Sequence, residues 1–86
     1  MNFQYKLNQN LLGRNAAQLV AEINLLHSGV SIYRKEATTC INAKSLVGIL
    51  SGYYKIGDTI TVYVDDVEDV SRVKEILNEY GTELKS

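Results

Sequence analysis

The spacing of apolar residues changes from one segment of this chain to the next, and this change constrains the fold most. Residues 2–8 alternate apolar and polar side chains, and residues 59–64 do so again, which is typical of strands with one buried face. Residues 15–27 and 70–80 instead carry apolar stripes at helical spacing. Such a chain must form a sheet with one apolar face and helices that cover it.

Shorter elements lie between these segments. Residues 30–34 and 38–42 are β-prone runs joined by a polar stretch that predicts a hairpin loop. Ser45 is expected to open a short helix over residues 46–51, and Gly52 to end it. The predicted order is β-α-β-β-α-β-α, an open-faced α+β sandwich with four strands covered on one face by helices.

Capping residues set the expected limits of the two longer helices. Asn15, with Gln18 three residues later, is expected to begin the first helix, and Gly29 to close it in a left-handed conformation. Asp66 is expected to cap the last helix, because carboxylates suit the positive end of the helix dipole, and Gly81 to stop it.

Composition excludes several classes of protein. The 86 residues suffice for one domain, residues 1–86, with one modest core. A net charge of −1 gives no electrostatic footprint for nucleic acid or an anionic membrane. The single cysteine, Cys40, cannot form an internal disulfide, and we expect it to fill a core position in a strand. A small secreted domain would normally carry several cysteines, so a cytoplasmic protein is expected, and no apolar run approaches the length of a membrane span.

The segment around the short helix carries a family resemblance. The run Asn42-Ala43-Lys44-Ser45-Leu46-Val47-Gly48-Ile49-Leu50-Ser51 resembles the N-x-K-S-I-M-G-[VL]-M-S motif of the HPr family. HPr is the small phosphocarrier of the bacterial sugar phosphotransferase system. The resemblance implies an antiparallel sheet with strand order 1-4-2-3 and a serine that a dedicated kinase phosphorylates.

The phosphocarrier motif of that family, G-[IL]-H-A-R-P-A, lies at the start of the first helix. Here the matching segment is Asn10-Leu11-Leu12-Gly13-Arg14-Asn15-Ala16. Arg14 and Ala16 match the motif, but Leu12 occupies the histidine position and Asn15 the proline position. A leucine side chain has no atom that can accept a phosphoryl group, so no catalytic residue is predicted.

The loss of the histidine together with a retained serine resembles catabolite repression HPr, although that group carries glutamine where this chain has Leu12. The resemblance implies a regulatory or docking protein of sugar transport and carbon catabolite control, and no enzyme. The expected partners are proteins: a serine kinase, a transcriptional repressor or phosphotransferase components. Two alternatives stay open: a phosphocarrier with an unexpected acceptor residue, or a purely structural paralogue.

Ser45 is the predicted regulatory residue. Its ordinary role is to cap the short helix. A phosphate there would bring about −1.5 to −2 charges to the positive end of that helix, with Lys44 adjoining it. Phosphorylation would therefore disturb the fold little.

Apolar residues crowd the short helix more densely than one buried stripe allows. Leu46, Ile49, Leu50 and Tyr53 are expected to share the buried face, with Leu46 at its edge, while Val47 and Tyr54 point elsewhere. An exposed apolar patch beside a modifiable serine suits a docking surface. The predicted partner-binding residues are Leu12, Arg14, Ala17, Leu46, Val47 and Leu50, with Leu11 on the rim.

The remaining chemistry-bearing residues predict little. His27, the single histidine, is expected in the last turn of the first helix, without an acid or nucleophile at a suggestive spacing. The acidic residues at 65–69 are explained by helix capping rather than by a metal. No cofactor, metal, nucleic acid or membrane is expected to bind. An RNA-binding sheet would need aromatic side chains on its central strands and a basic surface. Here Cys40 and Ile41 occupy the third strand and the net charge is −1, so RNA binding is not expected.

Overall fold

Five strands and three α-helices make up the part of the chain that the computed structural model describes, residues 1–37 and 39–84. A short 3-10 turn, Val67–Asp69, leads into the last helix. In chain order the elements are β1 (Asn2–Leu7), α1 (Gly13–Ile23), β2 (Val30–Arg34), β3 (Ile41–Asn42), α2 (Leu46–Ser51), β4 (Thr59–Val64), α3 (Val70–Leu77) and β5 (Gly81–Leu84).

The strands form an antiparallel sheet in the order β3-β2-β4-β1-β5. β4 is the central strand, because Ile60 lies opposite Tyr5 of β1 and Val62 lies opposite Ile32 of β2. The expected order 1-4-2-3 is thus present within this sheet, and the predicted α+β open-faced sandwich is confirmed.

The expectation of four strands was wrong by one, because β5 adds a fifth strand to the edge of β1. Gly81 was expected to stop the last helix, but that helix ends at Leu77 and Gly81 begins β5. A Cβ atom on Gly81 would overlap the backbone carbonyl of Lys6, so only glycine permits this approach of the two strands.

The core lies between one face of the sheet and the helices. The alternating residues of β1 and β4 face it, as predicted. The apolar stripe of α1 is also buried as predicted, and α3 contributes a second stripe. The fully or almost fully buried side chains include Tyr5, Leu7, Leu11, Leu19, Ile23, Val30, Ile32, Ile49, Tyr54, Ile60, Val62, Val64, Val73 and Leu77.

The limits expected for the first helix were wrong at both ends. α1 begins at Gly13, with Leu12 as its N-cap, and it ends at Ile23. Asn24 stops it, because the Asn24 side-chain amide donates to the carbonyl of Val20 inside α1 and to that of Lys44 outside it. The helix is therefore over before His27, which lies exposed in the following turn.

The shorter elements follow the sequence more closely. β2, α2 and β4 match their predicted limits at both ends. Thr38, the start of the expected third strand, lies outside the described residues, and β3 covers only Ile41–Asn42. Cys40 precedes β3 and is exposed, so its expected core position was wrong. Within the described ranges no helix is long and apolar enough to cross a membrane.

The two tyrosines after α2 exchange their expected positions. Tyr54 is buried and Tyr53 is 73% exposed, whereas the sequence pattern predicted the reverse. The backbone of Tyr53 has φ +50°, a left-handed conformation that L residues with large side chains rarely adopt. This turn of the backbone breaks the helical spacing, so Tyr54 and not Tyr53 enters the core.

The strained backbone at Tyr53 makes a substitution there informative. We expect Tyr53→Gly to raise the free energy of unfolding by about 1 kcal/mol, because glycine adopts positive φ without a steric cost and little side-chain burial is lost. Tyr53→Ala, which removes the ring but keeps the strained Cβ, is the control and should give no gain. Urea denaturation measures both, and a glycine variant less stable than the alanine variant would contradict the strain.

Candidate functional site

The candidate site is the surface where α1 and α2 lie against each other. The two helices run in opposite directions, because the end of α1 lies beside the start of α2 and the start of α1 lies beside the end of α2. At the first of these places the side-chain amide of Asn24 donates a hydrogen bond of 3.0 Å to the carbonyl of Lys44. At the second, the backbone N–H of Leu11 donates a hydrogen bond of 2.9 Å to the carbonyl of Tyr54.

Leu12 stands at the opening of α1. Its backbone is extended, and its side chain is 44% exposed, while the neighbouring Leu11 is fully buried. Gly13 follows with φ +54°, and a Cβ there would meet nothing within 4 Å. Leu11 thus anchors the loop in the core, and the left-handed Gly13 turns the chain so that Leu12 projects at the surface.

The six predicted partner-binding residues all lie on α1, α2 or the N-cap of α1. Arg14 and Ala17 of α1 are exposed. On α2, Val47 is 76% and Leu46 39% exposed, while Leu50 is half-buried and packs against the core. One fully buried residue, Ile49, anchors α2 to the core. Two of the four large apolar side chains of the helix, Leu46 and Val47, therefore face outward.

Ser45 is the N-cap of α2, as predicted. Its Oγ accepts a hydrogen bond from the N–H of Gly48 at 3.1 Å, and the residue is half-buried. The ammonium group of Lys44 donates to the carbonyl of Leu26 at 2.7 Å, so this cation is engaged with the end of the α1 segment.

The loop that carries Leu12 is held by two asparagines. The Asn10 side-chain oxygen accepts from the N–H of Ile56 at 2.9 Å, and the Asn10 carbonyl accepts from the side-chain amide of Asn15 at 3.1 Å. Asn15 was expected to cap α1, and this was wrong, because it lies within the helix and ties the preceding loop to it. The loop before α1 and the loop after α2 therefore form one connected surface.

An arginine on β2 fixes the second of these loops. The guanidinium of Arg34 donates to the Asp58 carboxylate at 2.9 Å and to the carbonyl of Tyr53 at 2.8 Å, and it lies 4.5 Å from the ring centre of Tyr54. We call this group of four residues the Arg34 clamp. The sequence did not indicate it, because Arg34 precedes the other three residues by 19 to 24 positions and no local pattern links them.

The ionisation of Asp58 follows from these contacts. Burial acts to raise the pKa of the Asp58 carboxyl, but hydrogen bonds from Arg34 and the N–H of Lys55, with the charges of both residues, outweigh burial and lower it. Burial also raises the pKa of the Tyr54 hydroxyl, with the Arg34 charge opposing. The carboxylate is therefore the form that holds the clamp.

Other candidate groups lie away from this surface or have structural partners. Asp66 caps the 3-10 turn by accepting from the N–H of Glu68. The Asp69 carboxylate accepts from the hydroxyl and the N–H of Ser28, at 2.6 and 3.1 Å, and these bonds lower the pKa of Asp69. Within the described residues no group of three His, Cys, Asp or Glu side chains is placed to hold a metal ion.

The fold and this surface define a small α+β protein that presents the start of one helix beside the outer face of another. A family model described as "PTS HPr component phosphorylation site" matches residues 2–79. The chain therefore belongs to the HPr family and has the phosphocarrier fold of the phosphotransferase system. A search among curated proteins returned no match.

Solved HPr structures share this fold. The phosphocarrier protein HPr from Bacillus anthracis is 30% identical, with a TM-score of 0.74 over 95% of this chain and 94% of that one. The histidine-containing phosphocarrier protein of a mycoplasma is 21% identical, with a TM-score of 0.76 over 92% and 93%. HPr-C-His from Thermoanaerobacter tengcongensis is 22% identical, with a TM-score of 0.71 over 92% and 85%.

The Arg34 clamp predicts a pH-dependent part of the stability. Because the pKa of Asp58 is lower in the folded chain than in the unfolded one, its contribution is present above the unfolded value of about 4 and is lost as pH falls below it. We expect Asp58→Asn to lower the free energy of unfolding by about 1 to 2 kcal/mol at neutral pH and to have a shrinking effect in acid.

Glu75→Gln is the matched control for this prediction, because the Glu75 pair with Arg72 is exposed and 3.9 Å long. That variant should change the stability by less than about 0.5 kcal/mol at any pH. Urea denaturation at a series of pH values measures both variants. A loss in Asp58→Asn that is constant with pH would show that the ionised carboxylate is not what holds the loop.

Proposed function

We propose that this chain is a regulatory or docking member of the HPr family that lacks phosphocarrier activity and is switched by phosphorylation at Ser45. Its place is the cytoplasm, in carbon catabolite control linked to sugar transport. Its partners are proteins: the serine kinase of the family, a transcriptional repressor or phosphotransferase components. One observation carries the proposal, namely that Leu12 stands at the opening of α1.

Phosphocarrier chemistry needs a nucleophile at the start of this helix. The resemblance to the family motif places that group at the position of Leu12, the N-cap of α1. The Leu12 side chain consists of saturated carbon, so it can neither accept nor pass on a phosphoryl group. Arg14 remains at the same helix start with an exposed guanidinium, which is available for contacts to a partner.

The single histidine, His27, lies too far from the start of α1 to replace the missing phosphoryl acceptor by a small movement of the chain. His27 lies beyond the opposite end of α1, and the 11 residues of that helix span about 16 Å. A partner that docks on the start of α1 would therefore meet no imidazole. This separation supports a protein that does not carry phosphate at the start of α1.

Ser45 is suited to act as the switch. A phosphate on its Oγ would face the first N–H groups of α2, where negative charge is stabilised. It would also stand beside Leu46 and Val47, whose apolar surfaces are exposed. Phosphorylation thus adds charge to the edge of the docking surface and leaves the core intact.

Two labelling experiments test the proposal. Incubation with the upstream phosphotransferase and phosphoenolpyruvate should leave the chain unlabelled, while Leu12→His should gain acid-labile phosphate because the acceptor is restored at the N-cap of α1. Incubation with the serine kinase and ATP should label the wild-type chain with acid-stable phosphate.

Variants within one helix identify the labelled serine. Ser45→Ala should abolish the kinase label and, by loss of the cap, lower the stability by about 1 kcal/mol. Ser51→Ala, at the other end of α2, should be labelled like wild type, since the Ser51 hydroxyl donates to the carbonyl of Gly48 and caps nothing. Acid-labile phosphate on the wild-type chain, or a kinase label retained in Ser45→Ala, would refute the proposal.

The docking surface predicts a difference between two exposed valines. Val47→Asp on α2 should weaken binding of the serine kinase at least about tenfold, because it places a charge in the apolar contact area. Val67, in the 3-10 turn, is 64% exposed, and Val67→Asp is the matched control that should bind like wild type. Titration calorimetry measures both affinities, and equal losses in the two variants would place the contact elsewhere.

A further inference from the structure

The hydrogen-bonding groups of β1 point alternately to its two neighbouring strands. The N–H of Leu7 donates to the backbone carbonyl of Asp58, and the carbonyl of Met1 accepts from the N–H of Val64. The backbone N–H and C=O groups of the odd-numbered residues of β1 therefore point toward β4. The N–H of Asn8 instead donates to the carbonyl of Tyr80. In an antiparallel ladder this alternation directs the backbone groups of Gln4 and Lys6 to β5.

β5 covers these groups along most of β1. It pairs residues 81–84 with residues 4–7 of β1, and the glycine at its start lets the two backbones approach closely. The match to the HPr family model ends at residue 79. β5 therefore lies outside the matched segment, and it closes an edge that the expected four-stranded sheet would leave open.

β1 and β5 differ in how well they would pair with another chain. β1 has six residues with aromatic and aliphatic side chains on one face, which is the kind of edge that invites strand addition. β5 has four residues. Its Glu83 lies opposite the buried Tyr5, so this carboxylate sits at the margin of the helix-covered face, where it forms an ion pair of 2.9 Å with Lys74. A short strand with a charge on its inward face is a poor template for strand addition.

We propose that β5 is an edge guard that keeps the protein monomeric by blocking antiparallel pairing of β1 with β1 of a second copy. The guard is held mainly by backbone pairing and one ion pair, since of its four residues only Gly81 is buried. It can therefore detach at a lower cost than the rest of the sheet.

The sequence of β1 favours a second copy as the strand that would replace β5. Two-fold antiparallel pairing centred on Gln4 or on Tyr5 keeps the apolar faces of both copies on the same side of the joined sheet. In either register Lys6 lies opposite a neutral residue, Asn2 or Gln4 respectively. No like charges oppose each other, and a self-complementary interface results.

The experiment removes the guard in two ways and measures mass by light scattering across a concentration series. A chain that ends at Tyr80 and the variant Thr82→Pro, which loses the N–H that faces Lys6, should each double in mass, the full-length variant from a monomer value of 9.6 kDa. Thr82→Ala is the matched control, because it changes the same exposed residue but keeps the N–H that faces Lys6, and it should stay monomeric with the wild-type chain.

A second change locates the new contact. Adding Gln4→Pro removes an N–H that faces the vacated edge and leaves the β4 ladder intact, so it should return the Thr82→Pro variant to the mass of a monomer. Circular dichroism checks folding, and Thr82→Pro decides the question if the shortened chain does not fold. Folded variants without β5 that stay monomeric, or a dimer that persists with Gln4→Pro, would overturn the proposal.

Discussion

The pairing of β4 with β1 on one side and β2 on the other is the constraint on which the rest of the structure depends. Ile60, Val62 and Val64 of β4 are fully buried, and their cross-strand neighbours bring Tyr5 and Ile32 into the same layer. None of the three helices is long, so each needs this layer to pack against. The positions of Leu12 and Ser45 at helix starts follow from the sheet beneath them.

Elements whose residues specify them locally could be predicted from the sequence. Ser45 marks the start of α2 because its hydroxyl caps the helix, and the alternation in β4 gives its buried face directly. The limits of α1 could not be read in this way. The Asn24 amide ends that helix partly by bonding to Lys44, a contact across 20 positions that no local pattern reveals. β5 was missed for a similar reason, since backbone pairing rather than side-chain pattern holds it.

The candidate surface shows the same division. The exposure of Val47 and the edge position of Leu46 were predicted, because a six-residue helix can bury only part of its apolar side chains. The exchange of Tyr53 and Tyr54 was not predicted. It depends on the left-handed backbone of Tyr53, whose carbonyl accepts a hydrogen bond from Arg34 on β2. Family resemblance proposed which residues form the site, whereas only the structure shows that the loop before α1 and the loop after α2 are hydrogen-bonded to each other.

The shallow attachment of α2 has a consequence for any enzyme that modifies Ser45. The helix has six residues, and Ile49 is its one fully buried side chain, so releasing it exposes little apolar surface compared with opening the sheet. This segment can therefore detach for a moment by withdrawing Ile49 and the half-buried Leu50, and the sheet would remain in place during the reaction.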